Sequence, residues 1–103
     1  MTTDETLPTV FRLQGEVDLA RQAELDAIAA AAAESQVAIV DMTEVTFVDS
    51  TVLNWLVHVK QALEQRNGRL RVVALDGVVT RLLSIAGLGE VIEVFPNQLQ
   101  ASG

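Results

Sequence analysis

The hydrophobic positions change period along the chain, and the changes mark out its elements. After a polar opening, MTTDETLP, the stretch TVFRLQG sets Val10, Phe11 and Leu13 among polar neighbours as a strand does, and Gly15 reads as its end. The run LARQAELDAIAAAAAES is built of strong helix formers, with Leu19, Leu25 and Ile28 as expected core contacts. VAIVD, from Val37 to Asp41, is nearly all apolar, the mark of a strand buried on both faces of a parallel sheet. TVLNWLVHVKQALEQRNG returns to helical spacing and stops at Asn67-Gly68. LRVVAL reads as a second buried strand, DGVVTRLLSIAG as a short helix with Asp76 a candidate cap and Gly87 its terminator, and EVIEVF as a closing strand ended by Pro96.

The order strand, helix, strand, helix, strand, helix, strand predicts right-handed crossovers and an α/β fold. We expect a mainly parallel sheet of four to five strands with three to four helices. Residues 1–8 form a leader that is a candidate edge strand, 9–96 the domain, and 97–103 a tail too short for more than a turn of helix. At 103 residues there is room for one hydrophobic core.

Charge and composition narrow the function. A formal net charge of -7 opposes nucleic-acid binding and docking on an anionic membrane, since both need clustered Lys and Arg. The absence of cysteine removes disulfides, thiolate chemistry and cysteine-bound metals. With no basic, apolar leader and no apolar run near the ~18 residues of a membrane span, a cytoplasmic protein without direct membrane insertion is expected.

Enzyme chemistry finds little support. The single histidine, His58, falls within a helix and reads as a surface residue. The G-x-S-x-G elbow and the glycine-rich phosphate loops are missing. Asp18, Asp41 and Asp49 stand at expected strand ends, after GEV, VAIV and TFV, and since strand ends of a parallel sheet share an edge, two or three of them would converge. A phospho-aspartate receiver or a magnesium site uses such a cluster, but Lys60, the only lysine, lies in a helix. The favoured reading makes Asp18 and Asp49 caps of the helices directly after them; no metal, cofactor or catalytic residue is expected.

The junction Asp49-Ser50-Thr51 is more informative. A cap explains one polar residue there, and three stand in a row. Projected at 100° per residue, Val52, Leu53, Leu56, Val59 and Leu63 share one stripe, while Asn54, His58 and Gln61 face water. Trp55 falls on a shoulder beside the hydroxyl pair. Two readings of it are open, a partly exposed binding anchor or a ring tucked against a neighbouring helix. A phosphate on Ser50 would meet the positive end of the helix dipole and repel a partner pressed against an acidic surface.

Three segments together resemble the STAS domain family, named for sulphate transporters and anti-sigma factor antagonists. They are GEVD (Gly15 to Asp18), VDMTEVTFVDSTVL, and VVTRLLSIAGLGEVIEVF. The resemblance implies a partner-switching protein of the bacterial antagonist type, which is not an enzyme. The unphosphorylated domain would bind an anti-sigma factor that is itself a serine/threonine kinase. Phosphorylation at Ser50, with Thr51 as the alternative acceptor, would release it, and a metal-dependent serine phosphatase would restore binding. Asp18, Asp49, Thr51, Asn54, Trp55 and His58 are the expected partner-binding residues. Val52-Leu53-Asn54 stand where the family often has Gly-Leu-Gly, which leaves Asn54 facing an approaching kinase. The alternative the family offers is a small subunit docking on the ATPase of an ABC-type lipid transporter.

Overall fold

A computed structural model describes residues 8–75 and 77–102. The proposed edge strand in the leader and the proposed cap Asp76 lie outside the described residues. Strand β1 (Thr9–Val17) leads through a 3-10 turn (Leu19–Arg21) into α1 (Gln22–Ala32). Then come β2 (Val37–Val48), α2 (Ser50–Glu64), β3 (Arg69–Val73), α3 (Val78–Ile85), β4 (Glu93–Phe95) and α4 (Gln98–Ser102). The strands lie in the order β1-β2-β3-β4 and every pairing is parallel, as the alternation predicted.

Because each crossover steps to the next strand in the same direction, right-handed connections put α1, α2 and α3 on one face. Leu13, Val40, Leu56, Leu63, Val72 and Leu83 are fully or almost fully buried there. α4 returns across the other face, where Ala101 packs with Ile39 and Val73.

Three strand boundaries differ from expectation. β1 does not stop at Gly15. It continues to Val17 with Gly15 at φ +72°, a left-handed conformation that glycine adopts without a Cβ penalty, and its register against β2 shifts between Arg12 and Gln14 and again between Gly15 and Glu16. β2 runs seven residues beyond Asp41, because β1 pairs with it as far as Val48 although β3 pairs only from Val37 to Asp41. The stretch DMTEVTF carries too many polar side chains to read as a buried strand, yet its backbone is satisfied by β1. At the other end of α2, Asn67 (φ 63°) and Gly68 reverse the chain, and a Cβ on Gly68 would lie 2.9 Å from the Gln36 carbonyl oxygen. β4 is shorter than EVIEVF suggested; residues 90–92 turn before it.

The long β2 also corrects the placing of Asp41, which stands inside the strand, not at its end. It is buried on the α4 face, where its carboxylate accepts from the Thr43 amide (3.0 Å), the Thr43 hydroxyl (2.8 Å) and the Gln98 side-chain amide (2.5 Å). The Arg12 guanidinium lies 3.9 Å away. Burial pushes this carboxyl up, but the Thr43 amide, Gln98, the Thr43 hydroxyl and Arg12 together outweigh it and hold the group below its ordinary value. A carboxyl lowered in the folded state stabilises the fold above its unfolded pKa and loses that contribution as pH falls through the folded value. Thermal unfolding followed by circular dichroism is therefore expected to show a midpoint falling below about pH 4. Asp41→Asn should start from a lower midpoint at pH 7 and show a shallower acid slope.

Candidate functional site

Val17 and Val48 are register partners at the ends of β1 and β2, so Asp18 and Asp49 leave the sheet side by side. Both have extended backbone, and each caps the helical turn directly after it. Asp18 Oδ1 accepts from the Ala20 amide at 3.0 Å and Asp49 Oδ1 from the Thr51 amide at 3.0 Å. Each bond satisfies one of the free N–H groups of a helical first turn, typically worth about 1 kcal/mol. Asp41 does not join them. Some seven residues of strand, roughly 23 Å, separate it from Val48. Among the described residues no group of three or more His, Cys, Asp or Glu side chains is arranged to hold a metal ion.

With Asp49 as the cap, Ser50 becomes the first residue of α2. It is exposed, and its hydroxyl makes no hydrogen bond among the described residues. The helix buries the predicted stripe, Val52, Leu53, Leu56, Val59 and Leu63, and presents Asn54 and His58 to solvent. Val52 is fully buried, so its side chain leaves the approach to Ser50 open.

Trp55 departs from the partly exposed position of the projection. It is 6% exposed, and its indole N–H donates to the Leu25 carbonyl of α1 at 2.8 Å. Of the two readings of the ring, the structure realises packing against the neighbouring helix. The shoulder faces α1, and the bond to Leu25 gives the buried N–H the partner it requires. What remains visible of the ring is the floor of a groove of about 480 Å³ between α1 and α2. Thr51, Asn54 and His58 line one wall, and Gln22, Asp26 and Ala29 the other. The structure thus gathers Thr51, Asn54, Trp55 and His58 on one groove beside Ser50, with Asp49 and Asp18 at the strand ends behind it.

The α1 wall and its support did not emerge from the sequence. Gln22 donates to Asp26 at 2.8 Å, four residues on. Arg21 pairs with Glu24 at 2.7 Å and also donates to the backbone oxygens of Gln14 (3.0 Å) and Glu16 (2.7 Å), bracing the irregular end of β1. The pair with Glu24 raises the Arg21 pKa and lowers that of Glu24. The i,i+3 and i,i+4 spacings were the available signal; the reach of Arg21 back to β1 had none.

A family model of the STAS domain matches residues 1–101. The anti-sigma-B factor antagonist of Listeria monocytogenes is 38% identical over 55 residues, which cover 53% of this chain and 48% of that protein. The match thus spans about half the length of that relative. An anti-sigma factor antagonist from Mycobacterium paratuberculosis shares the fold with a TM-score of 0.82 at 26% identity, over 91% of this chain and 81% of that one. The unphosphorylated anti-sigma factor antagonist SpoIIAA matches with a TM-score of 0.76 over 92% of this chain and 85% of its own, and at 21% identity this likeness concerns the fold alone.

The burial of Trp55 sets an energetic expectation. Trp55→Ala should cost about 3–5 kcal/mol in urea unfolding, as large-to-small core substitutions do. Trp55→Phe should cost less, since it retains most of the packing and gives up the bond to Leu25, a loss of about 1 kcal/mol. Equal stability of Trp55→Ala and the unsubstituted chain would place the ring outside the core.

Proposed function

The chain belongs to the STAS domain family, and from that premise we propose that it acts as an anti-sigma factor antagonist whose binding to an anti-sigma kinase is switched at Ser50. The observation that carries this reading is the exposed, unpartnered Ser50 hydroxyl at the start of α2, beside the Thr51–Asn54–His58 groove. In the unphosphorylated form the kinase rests on this groove and is withheld from its sigma factor. Thr51 is the alternative acceptor; it is less exposed than Ser50, which favours Ser50.

Transfer of a phosphoryl group to Ser50 adds a charge of about -1.5 to -2. The Thr51 amide, one of the donors that an uncapped first turn would leave free, is already taken by Asp49. A phosphate at Ser50 therefore meets a carboxylate beside it and an occupied amide, and its charge stays directed at the partner. Asp18, next to Asp49 at the sheet edge, adds to the negative field. Repulsion then releases the kinase while the buried stripe of α2 is undisturbed. A metal-dependent serine phosphatase would return the protein to its binding form. In this cycle the domain is a substrate and a ligand.

Incubation with a candidate anti-sigma kinase and ATP should add one phosphate, located at Ser50 by mass spectrometry and lost in Ser50→Ala. Calorimetry should show Ser50→Asp and Ser50→Glu binding the kinase about tenfold or more weakly, with Ser50→Ala close to the unsubstituted chain. Acidic variants that bind normally would rule out the electrostatic switch.

A further inference from the structure

The register of β1 slips on both sides of Gly15, and each slip interrupts the ladder that would otherwise fix the direction of the strand's end. β1 is also an edge strand, with no strand on its outer side among the described residues. The segment after it is held no better by packing, since no residue from Asp18 to Glu24 is buried. Asp18 caps the turn, and among the described residues the side chain of Arg21 alone ties it back to the sheet. Nη1 of Arg21 donates to the Gln14 carbonyl at 3.0 Å and to the Glu16 carbonyl at 2.7 Å, one on each side of Gly15. Nε meets Glu24 Oε1, in the first turn of α1, at 2.7 Å.

The two ends of this bridge carry the two walls of the α1–α2 groove. Val17 pairs with Val48, so the end of β1 is level with the start of α2 and hence with Thr51, Asn54 and His58. Gln22, Asp26 and Ala29 belong to α1. Both helices return from the same end of a parallel sheet and run in the same direction. The bond from Trp55 to the Leu25 carbonyl sets their relative height, which brings Gln22 to the Thr51 end of the groove, nearest Ser50. Buried Leu25 anchors the middle of α1; only the guanidinium anchors its start.

We infer that Arg21 is a positioning residue for kinase recognition: its bridge from the end of β1 to Glu24 sets the Gln22 end of one wall against the Thr51 end of the other. The inference rests on the functional reading above and adds a determinant that lines no part of the groove. The task calls for a rigid fork. Lysine keeps the charge but gathers its donors on one atom, so it cannot hold two carbonyls and a carboxylate from the separate positions that Nη1 and Nε occupy. Glu24 is the other half of the bridge and likewise lines no part of the groove.

The test measures kinase binding by calorimetry, and Ser50 phosphorylation kinetics, for Arg21→Ala, Arg21→Lys, Glu24→Ala and the double variant Arg21→Ala/Glu24→Ala. Arg66→Ala, which removes an exposed positive charge beyond the far end of α2, is the control. Arg21→Ala should weaken binding about fivefold to tenfold and raise KM by a similar factor. Its kcat should stay within about twofold, because Ser50 and its Asp49 cap are untouched. Arg21→Lys should resemble Arg21→Ala, and Arg66→Ala should bind like the unsubstituted chain. Glu24→Ala should weaken binding about threefold, and the double variant no more than Arg21→Ala alone, since both residues act through one link. Circular dichroism at the assay temperature identifies the folded variants; should Arg21→Ala unfold, exposed Glu24→Ala still carries the test. Full affinity in Arg21→Lys would mean that the partner reads the charge directly and would overturn the positioning role, as would additive effects in the double variant. If Ser50→Asp weakens binding while Arg21→Ala and Glu24→Ala do not, the positioning role is wrong and the switch stands. If the unsubstituted chain neither binds nor is phosphorylated by any candidate anti-sigma kinase, the functional reading fails and takes this role with it.

Discussion

The structure depends on an unequal pairing. β2 is held by β1 along almost all of its length and by β3 over only its first five residues. One satisfied edge is enough to keep the last seven residues extended, and it carries the chain to a point level with the end of β1. That is why Asp18 and Asp49 emerge together, and why α2 begins at the sheet's margin with Ser50 in solvent. It is also why α3 must cover an edge that no strand covers. The cap and the exposed hydroxyl both arise from the same asymmetry.

Element order was legible because it is written in period. VAIV and VVAL are continuous apolar runs, and α2 keeps its apolar stripe for about three turns, so type and sequence of elements emerge from periodicity alone. Extent was not legible where tertiary pairing overrode composition. DMTEVTF has the polarity of a loop and becomes a strand because β1 supplies its hydrogen bonds. Gly15 has the identity of a stop and becomes a left-handed residue inside a continuing strand. In both cases the deciding partner is remote in sequence, which local patterning cannot register.

The site divides in the same way. Asp49 as a cap, Ser50 at the helix mouth and Asn54 and His58 on the solvent side are consequences of helix geometry and a 100° projection. Trp55 is not, because a shoulder position is exposed or buried according to where the neighbouring helix lies, and α1 is fixed by the sheet. Asp41 departs from expectation for the same reason as the end of β2. It belongs to a polar clip between the sheet and α4, made by Gln98 and Thr43, and takes no part in the groove.

The position of Trp55 also makes the protein its own optical probe. It is the chain's single tryptophan, and there is no tyrosine. Its indole lies under the α1–α2 groove with the N–H tied to α1. Emission excited at the red edge thus originates from one spot, within a helical turn or two of Ser50. Seating of a ligand on the groove, loosening of α1, and loss of the native state each change the polarity around that one ring, so fluorescence can follow them in real time without a label.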